Sequence, residues 1–379
     1  MSITSKDVFT DTDVQWMRQA LRLAKKGKGY VAPNPLVGCV IVSKAGKKIG
    51  QGYHERFGES HAEINALNSV TETADLVDAT VYVTFEPCSH HGKTPPCAQA
   101  LGKTPVKRVV IAMVDPNPAV NGNGIQILQQ AGKRVDVGLL EEEAVKLNEF
   151  FIYFQKYHKP FVTLKIAQTL DGYIAAPGGE SQWITGQKSR TLVHKWRSEY
   201  DAVMIGRNTA LLDNPRLTVR QVEGRQPYRI VIDGNLSLPH ELDLFTDQHE
   251  EKTIVITHNK EKAGEEVDPM LQILQPNYFR GQTILVSEIE GHSDLGQALN
   301  RLADIPITSI LVEAGSRLAS SLIRNNLVDK LHLFVGPKLL GGGTRSVLGL
   351  GIDHLDEAIT FRKTHWEKVG DDLLFTGYF

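Results

Sequence analysis

The chain has 379 residues, a length that suggests about two domains. Hydrophobic residues make up 41% and charged residues 23% of the sequence, proportions typical of a soluble globular protein. A formal net charge of -2, with no basic block, argues against a nucleic-acid-binding or membrane-surface protein. No apolar run approaches the length of a membrane span, and residues 1–13 lack the apolar core of a signal peptide. Three Cys do not make a disulfide framework, so we expect a reducing, cytoplasmic location.

The first part of the sequence alternates between strand and helix patterns. Apolar residues at helical spacing predict helices, and short apolar runs bounded by turn residues predict strands. Helices are predicted over 11–26, from His61, from Cys97, and over 124–131 and 141–154; strands are predicted over 36–43, 48–53, 80–85, 107–114 and 134–138. This alternation predicts an α/β domain of three layers, with helices on both faces of one sheet.

A second α/β pattern begins after the polar stretch 155–159. Strands are predicted over 161–168, 201–205, 228–233, 252–257, 283–286, 307–313 and 330–335, and helices from 185 or 186 to 199, over 295–303 and over 317–324. The Gly-rich stretch 336–343 is predicted to be a flexible loop. We therefore place the two domains at residues 1–155 and 156–379.

Three side chains of the first domain form a set of zinc ligands. His61, Cys88 and Cys97 supply one imidazole and two thiolates, which leaves a fourth position for water. Glu63 follows His61 by two residues, as the proton-shuttling Glu does in zinc-dependent base deaminases. Those enzymes usually carry Cys-x-x-Cys, whereas eight residues separate Cys88 from Cys97, so the general signature matches only in part.

Two other interpretations of these residues stay open on spacing alone. A structural zinc site would need a fourth protein ligand, for which His90 or His91 is available. Alternatively, the two Cys and His61 bind no metal. Glu63 favours a catalytic site, because a structural site has no use for that carboxylate. Cys39 lies within an apolar strand and is predicted to be a small core residue.

In the second domain the residues alone do not identify an activity. Residues 312–317 form a strand that stops at Gly315 before a helix, a junction that presents free backbone N–H groups to an anion. The segment is not Gly-x-Gly-x-x-Gly, so a dinucleotide-binding fingerprint is absent, and a simple strand-to-helix turn stays an alternative.

The motifs taken together resemble a known family. In the first domain, the motifs that carry this resemblance are residues 33–38, 52–54, 61–63, 86–97 and 115–118. In the second domain, they are residues 165–172, 181–185, 213–215, 217–220, 312–315 and 337–342. These stretches are similar to the bifunctional deaminase/reductase family of riboflavin biosynthesis, whose second zinc motif contains the long insert between the two Cys. The resemblance implies a cytidine-deaminase-like domain followed by a dihydrofolate-reductase-like domain.

For the first domain, the resemblance implies hydrolytic removal of the 2-amino group of 2,5-diamino-6-(5-phosphoribosylamino)pyrimidin-4-one. His61, Cys88 and Cys97 would hold Zn²⁺, and Glu63 would move the proton. Asn34, His90 and Lys93 match substrate-binding positions. An amide side chain offers both donor and acceptor to a base edge, and a lysine supplies charge for a phosphate.

For the second domain, the resemblance implies NADPH-dependent reduction of the ribosyl ring to a ribityl chain. Lys165 and Asp171 are candidates for catalytic assistance to ring opening. The positions that match the cofactor site are Ala167, Trp183, Thr209, Asp213, Gly315, Ser316, Arg317, Leu318, Ala319, Ser320 and Ser321. The positions that match the substrate site are Ser181, Arg197, Leu217, Arg220 and Glu313, where the two arginines suit a phosphate.

We therefore expect a zinc- and NADPH-dependent bifunctional enzyme that acts on a small molecule, and a homo-oligomer without a nucleic-acid or membrane partner. The first alternative is a nucleoside or tRNA deaminase fused to an unrelated second half. The second alternative is a non-catalytic, zinc-stabilised binding protein, in which Glu63→Gln would leave function intact.

Overall fold

The computed structural model describes residues 9–89, 96–117, 121–268, 273–305 and 307–379. The chain divides into two compact units, Met1–His158 and Lys159–Phe379. Within the described ranges, no helix is both long and apolar enough to cross a membrane.

The first unit is built on a five-stranded sheet in the order β2-β1-β3-β4-β5. Strand β1 is antiparallel to β2 and β3, whereas β3, β4 and β5 run parallel. The strands are β1 Gly38–Val42, β2 Lys48–Tyr53, β3 Thr80–Val83, β4 Arg108–Ile111 and β5 Arg134–Val137, and the helices are α1 Asp11–Ala24, α2 Ala62–Asn68, α3 Cys97–Gly102, α4 Asn123–Gln130, α5 Glu141–Leu147 and α6 Glu149–Tyr157.

Both faces of this sheet are covered by helices. Cys39 and Ile41 of β1 point into a core that contains residues of α2, α3 and α4. Val40 and Val42 point into the opposite core, which contains residues of α1 and α5. Neighbouring strand residues face opposite sides of a sheet, so this alternation produces the predicted three layers. Cys39 is a buried core residue, as predicted.

One predicted helix is two helices in the structure. The pattern over 141–154 predicts a continuous helix, but the backbone leaves helical geometry at Asn148, between α5 and α6. The buried Asn148 amide accepts a hydrogen bond from Leu36 N at 2.7 Å and donates one to Leu36 O at 3.1 Å. Asn competes in this way with helix hydrogen bonding, so a contact 112 residues away accompanies the break.

The second unit contains an eleven-stranded sheet in the order β11-β12-β13-β10-β9-β8-β16-β6-β17-β20-β19. Its central strands, from β13 to β17, are parallel, and antiparallel pairs close both edges. The sheet strands are β6 Phe161–Thr169, β8 Ala202–Gly206, β9 Tyr228–Ile232, β10 Thr253–Thr257, β11 Glu265–Asp268, β12 Ile273–Gln275, β13 Gln282–Leu285, β16 Ser309–Val312, β17 Lys330–Gly336, β19 Arg362–Val369 and β20 Asp372–Tyr378.

Helices and short ribbons complete the second unit. The helices are α7 Gln187–Glu199, α8 Arg207–Asp213, α9 Asp243–Thr246, α10 Leu295–Asp304 and α11 Ser316–Arg324, and the ribbons pair β7 Tyr173–Ala175 with β18 Thr344–Arg345 and β14 Glu288–Ile289 with β15 His292–Ser293. Helices α10 and α11 pack into the largest core, on one face of the sheet. Val193 of α7 packs with Phe334 and Leu374 in a separate cluster.

All strands predicted from the sequence are present, but several elements were not predicted. The missed elements are α8, α9, β7, β11, β12, β14, β15, β18, β19 and β20. Every residue of β19 from Arg362 to Lys368 is exposed, so this edge strand has no apolar alternation by which a pattern could identify it. Most of the others are too short to give a periodic signal.

Candidate active sites

The three predicted zinc ligands lie together in the first unit. The Nδ1 atom of His61 is 3.5 Å from Cys88 Sγ and 3.4 Å from Cys97 Sγ, and the three ligand atoms all lie within 4.8 Å of one another. In a tetrahedral site, Zn–S and Zn–N bond lengths place sulfur and nitrogen ligands about 3.5 Å apart. The donor set and its spacing therefore fit Zn²⁺.

The local structure around each ligand follows from the parallel sheet. His61 is the N-cap of α2, Cys88 follows the end of β3, and Cys97 opens α3, as the sequence predicted. The backbone N–H of Cys97 donates to Cys88 Sγ at 3.3 Å, and that of Ala98 donates to Cys88 O at 3.2 Å. Helix N-termini carry partial positive charge, which favours thiolates at this point.

Hydrogen bonds within the cluster shift the pKa values of the two thiols in opposite directions. The pKa of Cys88 falls to about 4, chiefly because the Cys97 thiol donates to it and then because His61 does. The pKa of Cys97 lies well above its usual range, because it shares this hydrogen bond with Cys88 and is buried. A bound Zn²⁺ would favour ionisation of both thiols.

Glu63 lies beside the cluster and is nearly inaccessible, with 3% of its surface exposed. Burial raises its pKa to about 7, and the neighbouring Cys88 thiolate adds to this effect. A carboxyl group with a pKa near neutrality exchanges protons readily in both directions, which is the property that a proton shuttle needs.

The side chain of Asn34 is held by His54. Asn34 Nδ2 lies 3.1 Å from His54 Nε2, and His54 Nδ1 lies 3.2 Å from Ser60 O. The His54 ring also packs edge-on against His61, with ring centroids 5.2 Å apart. Asn34 is therefore placed near the zinc ligands through His54, to which the sequence reasoning assigned no role. The predicted substrate residues His90 and Lys93 lie outside the described residues.

In the second unit, Glu313 is the centre of a charged cluster. Its carboxylate accepts two hydrogen bonds from Arg197, at 2.6 Å and 3.0 Å, and lies 3.9 Å from Lys165 Nζ. Burial by itself would raise the pKa of Glu313, but the charges of Arg197 and Lys165 lower it to about 2. Burial lowers the pKa of the Lys165 amine, against the opposing effect of Glu313.

Two other predicted substrate residues, Leu217 and Arg220, lie on the segment that contacts this cluster through Thr218. A third Arg197 donor binds Thr218 O at 3.3 Å, so its guanidinium is engaged within the protein and orients Glu313. Arg220 is exposed, and it donates to Thr218 Oγ1 at 2.7 Å and through its backbone to His194 Nδ1 at 3.2 Å. Leu217 is buried and adopts a positive φ of 56°. Ser181 is half-buried.

Most of the predicted cofactor residues lie where two neighbouring parallel strands end. Strands β8 and β16 are adjacent; α8 follows β8 directly, and α11 begins four residues after the last residue of β16. A Cβ placed on Gly315 would lie 3.6 Å from Thr209 Oγ1, so the starts of the two helices are in contact. The first N–H groups of α11, in residues 316–318, lack intrahelical partners and suit the phosphates of a dinucleotide. This arrangement fits NADPH.

The remaining predicted cofactor residues differ in their surroundings. The Trp183 side chain is 60% exposed, and the guanidinium carbon of Arg190 lies 4.5 Å from its ring centroid. Ala167 is half-buried on β6, whereas Asp213 and Arg317 are exposed. The remaining members of the α11 set are buried or half-buried, namely Ser316, Leu318, Ala319, Ser320 and Ser321. The hydroxyls of Ser316 and Ser320 bond to residues 345 and 348.

Asp171, predicted as a catalytic candidate, is bonded to a loop. Its carboxylate accepts hydrogen bonds from Gly341 N at 2.7 Å, Leu340 N at 3.0 Å and Thr169 Oγ1 at 2.6 Å. These contacts lower the pKa of Asp171, first through Thr169 and then through Gly341. Its surroundings are those of a residue that holds the Gly-rich loop, and its catalytic role stays a prediction.

Comparison with known proteins places the chain in a family. The family described as the cytidine and deoxycytidylate deaminase zinc-binding region matches residues 10–113, and the RibD C-terminal domain matches residues 160–375. The riboflavin biosynthesis protein RibD of Actinobacillus pleuropneumoniae is 40% identical to this chain, over 98% of this chain and 96% of that protein. That of Aquifex aeolicus is 41% identical, over 97% and 98%. The chain belongs to the RibD family.

Solved RibD structures agree with this assignment. A diaminohydroxyphosphoribosylaminopyrimidine deaminase/5-amino-6-(5-phosphoribosylamino)uracil reductase from Thermotoga maritima superposes with a TM-score of 0.85 at 37% identity, over 97% of this chain and 98% of its own. Acinetobacter baumannii RibD gives a TM-score of 0.84 at 34% identity, with the same coverage. The predicted family, fold class and cofactors are therefore confirmed: a zinc-binding deaminase is joined to an NADPH-using reductase of the RibD type. The match over residues 160–375 excludes the alternative of an unrelated second half.

Three residues at these RibD sites had no role in the sequence reasoning. His54 holds Asn34, His194 holds the backbone of Arg220, and Glu86 binds the backbone N–H groups of residues 115, 122, 124 and 125. His54 and Glu86 stand inside motifs that carried the resemblance, which was the only available signal for them. His194 lies within the predicted helix that also carries Arg197, and nothing in the sequence distinguishes it from a core residue.

Proposed function

We propose that this chain catalyses two successive steps of riboflavin biosynthesis. The first unit removes the 2-amino group of 2,5-diamino-6-(5-phosphoribosylamino)pyrimidin-4-one as ammonia, and the second unit uses NADPH to reduce the ribosyl group to a ribityl chain. The observation that carries the proposal is the zinc-type cluster of His61, Cys88 and Cys97 beside the buried Glu63, in a chain of the RibD family.

For deamination, His61, Cys88 and Cys97 would hold Zn²⁺, which as a Lewis acid would make an attacking water more acidic, with a pKa of about 7. Glu63 accepts a proton from the attacking water at its carboxylate and then donates it to the leaving amino group. Asn34, oriented by His54, binds the edge of the pyrimidine. His90 and Lys93 complete the substrate contacts, with Lys93 as the positive charge for the phosphate.

For reduction, bound NADPH would supply the hydride, and the residues of the protein bind and position the substrate. Glu313 faces the sugar with its carboxylate ionised, and Lys165 assists ring opening by exchanging a proton at its amine. Arg197 holds Glu313, and Arg220, Ser181 and Leu217 contact the substrate, Arg220 through its phosphate. Asp171 acts on this step by holding the loop at Gly341. The cofactor contacts are those of Ala167, Trp183, Thr209, Asp213 and residues 315–321.

Replacement of Glu63 by Gln tests the deaminase assignment. We expect ammonia release from the diaminopyrimidine ribotide to fall at least about 100-fold, because a general acid–base group typically contributes that much, while zinc content stays at the wild-type level. Glu59→Gln serves as the matched control, since Glu59 is an exposed carboxylate of the same segment. Ammonia and NADPH oxidation are followed in one sample, and zinc is determined on each protein.

Normal ammonia release by Glu63→Gln would show that Glu63 is not the shuttle and would favour a structural zinc site. Ammonia release by the wild type without subsequent NADPH oxidation would contradict the proposed second step. Loss of zinc from Glu63→Gln would mean that the carboxylate belongs to the metal ligands.

We further propose a cytoplasmic homo-oligomer that has neither a nucleic-acid nor a membrane partner. The free thiols of Cys88 and Cys97 support a reducing compartment. The net charge of -2 provides no excess of positive charge for binding nucleic acid. Trp366 and Leu373 are exposed on the edge hairpin β19–β20 and offer an apolar surface to a second copy. Light scattering on the wild type and on Trp366→Ala tests this assembly, and a monomeric wild type would contradict it.

A further inference from the structure

A buried carboxylate stands two residues before the zinc ligand Cys88. Glu86 is 4% exposed, and it receives hydrogen bonds from four backbone N–H groups. Its Oε1 atom accepts from Gly124 N at 2.9 Å and Ile125 N at 3.4 Å, and its Oε2 atom accepts from Gly122 N at 3.0 Å and Asp115 N at 3.2 Å. In the described part of the chain, no ion pair includes Glu86. The side chain therefore binds backbone groups of the chain that follows β4; we use the name 115–125 segment for its described residues, 115–117 and 121–125.

The 115–125 segment also touches the main chain next to Cys88. A Cβ added to Gly124 would lie 2.0 Å from Pro87 O, a distance at which no side chain fits. Gly124 therefore makes two contacts at this point: its Cα packs against the carbonyl oxygen of Pro87, and its N–H donates to the side chain of Glu86, the residue before Pro87. Cys88 is the next residue, so its position depends on this contact.

The sheet topology explains why these groups meet. Strands β3 and β4 are parallel neighbours, so the chain after each of them leaves at the same edge of the sheet. Glu86 and Cys88 follow β3, and the 115–125 segment follows β4. Backbone groups outside a ladder need other partners, and the Glu86 carboxylate provides acceptors for those of the segment after β4.

We propose that Glu86 is a positioning residue of the zinc site. By holding the 115–125 segment against Pro87, its carboxylate keeps the Cys88 thiolate at the separation from His61 and Cys97 that Zn²⁺ requires. The inference rests on the proposed role of Cys88 as a zinc ligand. Partners that orient metal ligands in this way typically change metal affinity by about 10-fold to 100-fold when they are replaced.

The test compares zinc binding by full-length variants. In Glu86→Gln the side-chain amide would point N–H groups at two of the four backbone donors, so the 115–125 segment separates from Pro87. We expect the dissociation constant for Zn²⁺, measured by competition with a chromophoric chelator, to rise at least about tenfold. We also expect shifted thiolate-to-metal bands in the Co²⁺-substituted protein.

A matched control separates positioning from general stability. Asp13 is likewise a buried carboxylate of the first unit, and it binds Arg108 at 2.7 Å and Tyr82 at 2.7 Å. Arg108 opens β4, so this network lies at the sheet edge opposite to Glu86. Asp13→Asn should lower Tm but leave the Zn²⁺ dissociation constant and the Co²⁺ spectrum unchanged.

Gly124→Ala provides a second variant in case Glu86→Gln does not fold. Alanine suits the interior of α4, so a rise in the Zn²⁺ dissociation constant would come from its contact with Pro87 O. Wild-type zinc affinity and Co²⁺ spectra in both Glu86→Gln and Gly124→Ala would overturn the inference, as would an equal loss of affinity in Asp13→Asn. Cys88→Ala tests the ligand assignment separately from the role of Glu86. Undiminished zinc binding by that variant would overturn the assignment of Cys88 as a zinc ligand.

Discussion

At the scale of single residues, the pair formed by Asn34 and His54 determines what the deaminase site offers to a base. Ser60 O can only accept, so His54 Nδ1 carries the proton and Nε2 accepts from Asn34 Nδ2. Burial lowers the pKa of His54, which keeps the ring neutral. The Asn34 amide is thereby held with its oxygen directed away from His54, available as an acceptor.

His54→Phe tests this orientation. Phenylalanine keeps a ring against His61 but removes the acceptor for Asn34, and Asn65 Nδ2 still bonds Ser60 O at 3.3 Å. We expect the KM for the diaminopyrimidine ribotide to rise about fivefold to tenfold, which corresponds to one hydrogen bond, with zinc content unchanged. Steady-state kinetics with zinc analysis measures both quantities. A variant that keeps the wild-type KM would mean that Asn34 does not depend on His54.

The Glu313 carboxylate predicts a pH dependence for stability. Its folded-state pKa of about 2 lies below the ordinary value of 4.5, so its contribution is fully present above pH 4.5 and is lost as pH falls towards 2. The shift corresponds to about 3 kcal/mol. The difference in the free energy of unfolding between wild type and Glu313→Gln should be constant above about pH 5 and shrink below it.

Urea denaturation at several pH values measures this difference for Glu313→Gln. Glu367→Gln, which changes an exposed carboxylate of β19, is the control. A difference for Glu313→Gln that stays constant down to pH 3 would contradict the electrostatic account of the cluster.

At the scale of elements, the loop after β17 is held from the turn after β6. Asp171 binds Leu340 N and Gly341 N, and Leu170 N donates to Lys338 O at 2.8 Å. Lys338 Nζ in turn donates to Trp183 O at 2.5 Å. The loop that follows β17 and the segment that carries Trp183 are therefore linked, although they lie 155 residues apart.

Asp171→Ala distinguishes a loop anchor from a catalytic acid. Because the alanine variant lacks the acceptors for Leu340 N and Gly341 N, we expect the KM for NADPH to rise severalfold while kcat stays within about threefold. Asp171→Asn, which keeps one acceptor oxygen, should lie between the alanine variant and wild type. If kcat falls at least about 100-fold in both variants, Asp171 is a catalytic group instead.

At the scale of the whole molecule, the two chemistries use residues of separate units. The zinc-type ligands lie within Met1–His158, whereas Lys165, Glu313 and the residues that match the cofactor site lie within Lys159–Phe379. Removal of zinc by a chelator should therefore abolish ammonia release. NADPH oxidation should continue when the deaminated ribosyl intermediate is supplied.

This separation is measured by assaying ammonia and NADPH in chelated and zinc-restored samples. Restored zinc should return deamination to the wild-type rate, because metal binding is reversible when the fold survives. Loss of reduction together with deamination, with the intermediate supplied, would mean that the second activity depends on the metal of the first.

Features that depend on near neighbours along the chain were predictable from the order of the amino acids. Glu63 stands two residues after His61, and the helix starts at His61 and Cys97 follow from local patterns, so ligand types and helix positions were predictable. The alternation of strands and helices predicted the three layers of the first unit, because the spacing of apolar residues shows which face of each helix is buried. The motifs also implied the family that the comparisons confirm.

Contacts between residues that are distant in the sequence were not predictable and are known from the fold. Strand β16 lies between β8 and β6, and this order brings Glu313 to Lys165 and to Arg197, which is 116 residues away in the sequence. Glu86 reaches backbone groups 29 to 39 residues further along the chain, and the helix break at Asn148 accompanies a contact with Leu36. The physical reason is that hydrogen bonds and charges act through space, whereas a sequence pattern reports only the periodic burial of each element.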